Sequence, residues 1–161
     1  MASAIEQRVI DHLEALGARY EVLDCDPALA DTAAFCEHYG YGPEISANAI
    51  VIASRRPPGR ACLCLGLATT RLDVNRRVKA LLGVSKLSFA SPEDTIAATG
   101  MEIGGVTPFG IPDGLPVYVD ARIPALETCI VGGGSRSIKL LVDPEVFTRM
   151  PGVEVIDGLA T

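Results

Sequence analysis

The chain has 161 residues, of which 48% are hydrophobic and 21% charged, and its net charge is −6 at neutral pH. This balance predicts one folded domain of ordinary size and argues against an intrinsically disordered chain. The longest apolar runs, 49–53 and 61–68, are too short to cross a bilayer, and residues 1–6 lack the apolar run of a signal peptide. We therefore expect a cytoplasmic protein without a membrane partner.

The N-terminal half is predicted to form helices, a strand and a hairpin. Ser3 followed by Glu6 is a capping-box pattern, and apolar residues then recur at helical spacing as far as Gly17. The later elements of this half are a strand over 20–25, a helix from Asp31 or Thr32 to Gly40, and strands over 48–54 and 61–68 joined by a basic tip.

The C-terminal half is richer in strands. Its predicted elements are helices from Asp73 to Leu82 and from Ser91 to Gly100, strands over 86–90, 116–120, 128–131, 137–142 and 153–156, and a helix start at Asp143. The regular alternation of a doubly wound fold is missing. We predict a single domain over residues 1–161 of the α/β class, in its α+β form. Its mixed, mostly antiparallel sheet or partial barrel would be surrounded by helices.

Cysteine and histidine give little support to metal or nucleophilic chemistry. The five cysteines are odd in number and contain no C-x-x-C, which is typical of reduced thiols. His12 and His38 have no ligand-like spacing to them, and neither lies in a glycine-rich loop. No phosphate-binding motif follows a strand. We expect no metal and no cofactor.

Two glycine-rich loops are candidates for main-chain chemistry. The first, residues 104–110, combines glycines with a proline that stiffens the turn, so it could present rigid N–H groups to a carbonyl oxygen. The second, residues 132–136, could form an anion-binding nest with Arg136 adding charge. Taken as isolated patterns, the first loop is more typical of an ordinary connection between strands and the second of a wide hairpin turn.

Positive charge is concentrated in one segment. Residues 55–86 contain eight basic residues and one acid, Asp73, in an otherwise acidic chain. Such a segment can bind phosphate groups, although a solvated surface whose arginines pair with acids elsewhere would give the same pattern.

Several pieces in this order resemble the YbaK/prolyl-tRNA synthetase insertion-domain family over nearly the whole chain. The pieces are the Thr32 helix, the apolar strand from Ala49, the Leu72–Asp73 helix with Lys79, the 104–110 loop, the strand ending at Asp120, the second glycine loop, and the Val142-Asp143-Pro144 helix start. The family's G-x-x-x-P element falls on Gly104 to Pro108, which is the most specific part of the resemblance.

The resemblance implies a domain that hydrolyses the ester of a mischarged aminoacyl-tRNA, usually tRNA for proline, acting in trans or inside the synthetase, with no metal. The expected partner is the acceptor end of an aminoacyl-tRNA, a prolyl-tRNA synthetase is a further candidate, and no DNA partner is expected. Expected catalytic residues are Gly104, Gly105, Val106, Thr107, Pro108 and Asn48. Expected substrate-binding residues are Thr32, Lys79, Gly110, Gly133, Gly134, Ser135 and Arg136. Expected tRNA-phosphate contacts are Arg55, Arg56, Arg60 and Arg76.

One departure from the family pattern bears on activity. The family usually has a lysine at the start of its central strand, where this chain has Asn48. An amide donates a hydrogen bond but carries no charge, so Asn48 could bind more weakly or another base such as Lys79 could substitute. Two alternatives stay open: an inactive family member that only binds tRNA or a protein, and a hydrolase for small acyl esters unrelated to tRNA.

Overall fold

The computed structural model describes residues 2–161, and their hydrogen bonding follows the predicted element order closely. The α-helices are α1 (Ala4–Ala15), α2 (Thr32–Tyr39), α3 (Lys79–Leu82) and α4 (Pro92–Thr99). The strands are β1 (Tyr20–Asp24), β2 (Ala47–Arg56), β3 (Pro58–Leu67), β4 (Lys86–Phe89), β5 (Val117–Asp120), β6 (Cys129–Gly132), β7 (Ile138–Val142) and β8 (Val153–Ile156). None of the helices in this part of the chain has the length and apolar character needed to span a bilayer.

The strands form two sheets, and one isolated β-bridge connects them. Five strands lie in the order β4-β2-β3-β5-β8, and three in the order β1-β7-β6. Pairing is antiparallel except for β3 with β5 and β5 with β8. Ser46, just before β2, bridges to Ile130 of β6 and so joins the sheets. The predicted mixed, mostly antiparallel α+β architecture is confirmed, and the described strands do not close into a barrel.

The largest core cluster fills the space between the two sheets and the helix that covers them. Leu63 and Leu65 of β3, Val119 of β5 and Leu140 of β7 are completely buried in it. Phe109, from the first glycine loop, is also fully buried there and stacks on Phe147 at a centroid distance of 5.5 Å. The loop is therefore anchored to the core by a large apolar side chain at its end.

Two predicted helices differ from expectation. Asp73 does not cap an α-helix, because its carboxylate accepts from Arg76 instead, and a π-helical turn over Val74–Val78 precedes the short α3. The helix predicted at Asp143 is a 3₁₀ turn over Pro144–Thr148. The hairpin strands also run further into the basic segment than predicted, because Arg55 of β2 still pairs with Pro58 of β3.

The first helix is tied to the second glycine loop by a buried carboxylate. Glu6 accepts from the Ser3 N–H at 2.8 Å, which completes the predicted capping box, and from the Ser135 hydroxyl. Glu6 and Ser135 are both buried. Hydrogen bonds to a charged group typically stabilise a protein by about 1.5–3 kcal/mol. This pair therefore fixes α1 against residues 134–136.

We expect Glu6→Ala to lower the free energy of unfolding by about 2–3 kcal/mol, because it removes the capping box and leaves the Ser135 hydroxyl without its acceptor. Urea denaturation followed by circular dichroism measures the change. Gln7→Ala is the matched control, since Gln7 is exposed on the same helix and should change stability by less than about 0.5 kcal/mol. Equal effects of the two substitutions would contradict this account.

Candidate functional site

The start of β2 is an uncovered sheet edge. Its partner β4 pairs with β2 only from Ile52 to Arg56, and the Ala90 N–H donates to the Val51 carbonyl at 2.9 Å. Alternate residues of a strand direct their main-chain groups to the same edge, so the N–H and C=O of Ala49 lie on this open side. A cavity of about 360 Å³ lies against it. That volume is within the usual range of small-molecule sites, roughly 300–1,000 Å³.

The cavity has three walls from distant parts of the chain. The N-terminus of α2 supplies one wall, the start of β2 a second, and the first glycine loop a third. Many of the lining side chains are small, and they include Ala30, Ala47, Ala49, Ala90 and glycines at 104 and 132. Small side chains leave main-chain groups accessible to a ligand in the cavity.

The glycine–proline loop keeps only part of its main chain free. The Gly105 N–H donates to the Glu102 carbonyl at 2.9 Å, and the Thr107 N–H to Met101 Sδ at 3.4 Å. Gly104 and Val106 both line the cavity, and their N–H groups make no hydrogen bond within residues 2–161. Of the five predicted catalytic residues in the loop, these two therefore reach the cavity, whereas Gly105, Thr107 and Pro108 lie behind it.

The two glycine loops pack main chain against main chain. A Cβ added at Gly105 would overlap the Ser135 backbone, and one added at Gly132 would overlap the carbonyl of Val106. The Gly134 N–H donates to the Gly105 carbonyl at 2.7 Å, and the Glu102 N–H donates to the Gly134 carbonyl at 3.0 Å. The second loop therefore supports the first, and glycine is required at the positions where they touch.

The predicted substrate-binding residues of the second loop lie behind the cavity wall. Gly133, Gly134 and Ser135 are buried and do not line the cavity, which only Gly132 of this region reaches. Arg136 holds the rim together: its guanidinium donates to the Ile103 carbonyl at 2.9 Å and lies 3.4 Å from Asp31. This arginine thus joins the loop wall to the α2 wall.

Thr32 and Asn48, both predicted from the sequence, meet in the cavity. The Thr32 hydroxyl donates to Asn48 Oδ1 at 2.6 Å. With its oxygen held in this way, the Asn48 amide keeps its Nδ2 donors, which have no hydrogen-bond partner within residues 2–161. The pair therefore supplies an oriented neutral donor at the start of β2.

Lys139 is a cavity residue that the sequence predictions missed. It extends from β7, is only 8% exposed, and its Nζ donates to the Gly104 carbonyl at 2.9 Å. Burial lowers the pKa of its ammonium below the ordinary value. The available signal was a single lysine in the apolar run 138–142, since alternation separates it from the inward face of Ile138, Leu140 and Val142.

The remaining predicted residues lie away from the cavity. Lys79 begins α3 and does not line it, and Gly110 packs against α1, where its N–H donates to His12 Nδ1 at 2.8 Å. Arg55, Arg56 and Arg60 are exposed near the far end of the β2–β3 hairpin, and Arg76 pairs with Asp73 at 3.1 Å. Arg55 lies seven positions after Asn48 along β2, which corresponds to roughly 23 Å at about 3.3 Å per residue.

A smaller cavity continues from the first along β2. It has a volume of about 160 Å³ and shares Asn48 and Ile50 with the larger one. Phe89, whose side chain is 56% exposed, and Arg71 also line it. Within residues 2–161, no group of three or more His, Cys, Asp or Glu side chains is placed to hold a metal ion.

Comparison with known proteins agrees with this architecture. A sequence model described as the aminoacyl-tRNA editing domain matches residues 26–150. Uncharacterized protein YwhH of Bacillus subtilis (strain 168) is 28% identical over 108 residues, which cover 67% of this chain and 68% of that protein. A solved structure of a proposed trans-editing enzyme for prolyl-tRNA synthetase has a TM-score of 0.80 at 24% identity and covers 98% of both chains. The structure of hypothetical protein APE2540 has a TM-score of 0.84 at 19% identity, covering 96% of this chain and 99% of that one.

The match over residues 26–150 therefore defines the class of this domain as aminoacyl-tRNA editing, and the solved structures share its fold. Because the family match spans most of its length, the chain belongs to the aminoacyl-tRNA editing domain family. The resemblance to the YbaK/prolyl-tRNA synthetase insertion domains is confirmed.

His12 gives the loop a pH-dependent anchor. Its Nδ1 accepts from Gly110 only when unprotonated, and burial lowers its pKa below the ordinary 6.5, although Asp113 acts in the opposite direction. The unfolded chain therefore binds this proton at higher pH than the folded chain does. The contribution of the His12–Gly110 hydrogen bond to stability is complete above about pH 6.5 and is lost as the pH falls through the folded-state pKa of His12.

We expect the free energy of unfolding of the wild type to fall more between about pH 7.5 and pH 5.5 than that of His12→Gln. Glutamine can accept the same N–H without titrating. Urea denaturation at both pH values measures the two differences, and subtracting them removes the contribution of other groups. Identical pH dependence in the two proteins would show that His12 does not anchor the loop.

Proposed function

We propose that the protein is a trans-acting aminoacyl-tRNA deacylase that hydrolyses the ester of a mischarged tRNA, with tRNA for proline as the expected substrate. The observation that carries the proposal is the cavity between the open edge of β2 and the glycine–proline loop. On the loop side, the N–H groups of Gly104 and Val106 are free of internal hydrogen bonds among the described residues. On the strand side lie Asn48 and Ala49.

In the proposed reaction the protein supplies hydrogen-bond donors to the ester carbonyl, and the ribose hydroxyl takes the place of a titrating base. Water, assisted by a hydroxyl of the terminal ribose, adds to the ester carbonyl, and the carbonyl oxygen becomes an oxyanion. The N–H groups of Gly104 and Val106 donate to that oxygen. The bond between the carbonyl carbon and the ribose oxygen then breaks, and the ribose oxygen takes up a proton. The products are a free amino acid and an uncharged tRNA. Donors fixed by the fold stabilise such an oxyanion without reorganising during the reaction.

The cavity favours a small aminoacyl group. Its walls are rich in alanine and glycine, and its volume must also hold part of the ribose. Asn48 Nδ2, oriented by Thr32, would donate to the aminoacyl group or to the ribose. The adjoining cavity beside Phe89 and Arg71 would accept the terminal nucleoside, because it shares Asn48 with the first.

The decisive experiment measures amino acid release from tRNA for proline charged separately with alanine, cysteine, serine and threonine. We expect the wild type to release at least one of these amino acids faster than buffer alone. Asn48→Ala should lower kcat/KM by about tenfold, because a neutral hydrogen bond to the substrate contributes about 0.5–1.5 kcal/mol and 1.4 kcal/mol corresponds to a factor of ten. Asn75→Ala, an exposed amide outside the cavity, is the matched control and should leave the rate unchanged.

A binding module is the alternative, and Asn48 in place of the family's usual lysine favours it. Tight binding of every charged tRNA without any release of amino acid would support this alternative over the deacylase.

The exposed arginines of the hairpin lie too far from Asn48 to contact the ester, so we assign them to tRNA phosphates. We expect the double substitution Arg55→Gln/Arg56→Gln to raise KM and leave kcat unchanged. The slope of log affinity against log salt should decrease by about 0.7–0.9 for each phosphate group that the variant no longer neutralises.

Binding titrations at several salt concentrations measure that slope, with Arg19→Gln as the control, since Arg19 is an exposed cation outside the basic segment. If wild-type affinity does not change with salt, phosphate contacts are absent and hydrolysis of a small acyl ester becomes the better proposal.

A further inference from the structure

We propose that the Lys139 ammonium is a catalytic group that stabilises the oxyanion formed when the ester is hydrolysed. The inference rests on the proposed function and adds a charged side chain to a site described so far in terms of main-chain and amide donors. Neither glycine loop contains this lysine, which the fold brings to the cavity from β7.

Lys139 lies deep in the cavity, where an aminoacyl group would end. It lines both the main cavity and a recess of about 20 Å³ behind it, and Thr32, Asn48 and Gly132 line the same two spaces. One of its three N–H groups donates to the Gly104 carbonyl. No other hydrogen bond from Nζ to residues 2–161 is found, so two donors remain for a ligand.

The charge of Lys139 is not compensated by a carboxylate. No salt bridge of Lys139 is found among residues 2–161. Asp31 is the acid on the cavity rim, but it pairs with Arg136 and its side chain is 78% exposed. The Phe35 ring faces the charge, with its centroid 5.8 Å from Nζ, but it carries no negative charge. A buried cation without a carboxylate partner is costly, and an apolar residue of similar volume at such a position is often neutral or stabilising. This cost indicates a role outside stability.

The hydrolysis itself supplies the missing negative charge. The ester carbonyl is neutral in the bound substrate and becomes an oxyanion only in the tetrahedral intermediate and the transition states that flank it. A group that interacts more strongly with that state than with the substrate raises kcat and not only affinity. Because Lys139 bonds to Gly104, its ammonium is fixed beside the loop whose N–H groups would bind the same oxygen.

The position also constrains how the substrate enters. An aminoacyl ester carries an α-ammonium group, which would be repelled by Lys139. The α-ammonium therefore lies away from the cavity floor, toward Asp31 on the rim, and the carbonyl oxygen lies toward Lys139. A substrate in the opposite orientation would place two like charges in a buried space.

The test compares Lys139→Met with the wild type on the aminoacyl-tRNA that the wild type deacylates best. We expect kcat to fall at least 10²-fold while KM changes by less than about threefold, since the missing interaction exists only in the transition state. The thermal midpoint should stay the same or rise. Arg19→Met, which removes an exposed cation, should change none of these quantities.

A second variant returns a positive charge from the opposite wall. In Asn48→Lys/Lys139→Met the ammonium would reach the same cavity from β2, and its N–H groups would also replace the lost Asn48 donor. We therefore expect kcat at least tenfold above that of Lys139→Met alone. The kcat of Lys139→Met combined with Asn75→Lys, which places the new charge on an exposed turn, should stay at the level of Lys139→Met.

Three outcomes would overturn the inference. A kcat of Lys139→Met within about threefold of the wild type would show that the charge is not used. A loss expressed in KM alone would assign Lys139 to binding a polar or acidic aminoacyl side chain. A lower thermal midpoint would assign it to holding Gly104. If the wild type releases no amino acid from any charged tRNA, the proposed function fails instead, so the two failures are distinguishable.

Discussion

The close approach of two glycine segments is the constraint on which the rest of the site depends. Gly105 lies against the Ser135 backbone and Gly132 against the Val106 carbonyl, at distances that leave no room for a Cβ. The main-chain hydrogen bond from Gly134 to Gly105 locks this arrangement. Because the first loop is fixed from behind, the N–H groups of Gly104 and Val106 keep their positions at the cavity without forming internal bonds.

The surrounding structure reinforces that loop from each direction. Phe109 anchors its end in the core, His12 accepts the N–H of Gly110, and Lys139 donates to the carbonyl of Gly104. Glu6 and Arg136 fix the second loop to α1 and to the rim. The proposed catalysis by main-chain N–H groups needs this support, since such groups cannot be repositioned by side-chain rotation.

The buried Lys139 ammonium differs from the other buried polar groups, because we assign it a role in the proposed reaction and not in stability. Most buried polar groups here serve the fold, as Glu6 and Ser135 do by satisfying each other. Lys139 is different, because its contacts with the Gly104 carbonyl and the Phe35 ring include no negatively charged group. In the proposed reaction the ester carbonyl is neutral in the substrate and becomes an oxyanion in the intermediate, and a nearby cation without a carboxylate partner favours the second state.

Local sequence signals determined much of the fold. The Ser3–Glu6 capping box, the Ser91 cap and the alternating apolar strands depend on neighbours in the chain, so they predicted α1, α4 and most strand positions. Asp73 failed as a predictor because its carboxylate had two possible partners, and the nearby Arg76 competed successfully with the main chain.

The glycine–proline loop and Asn48 were also visible in the sequence, since glycine and proline restrict the backbone wherever they occur. Only the tertiary structure decided which of those residues reach the cavity. Contacts between residues far apart in the chain determined that Gly104 and Val106 are accessible while Gly133 and Gly134 are buried. The same contacts brought Lys139 of β7 to Gly104. Sequence patterns record the local conformation of each segment, but the meeting of segments depends on how the two sheets pack together.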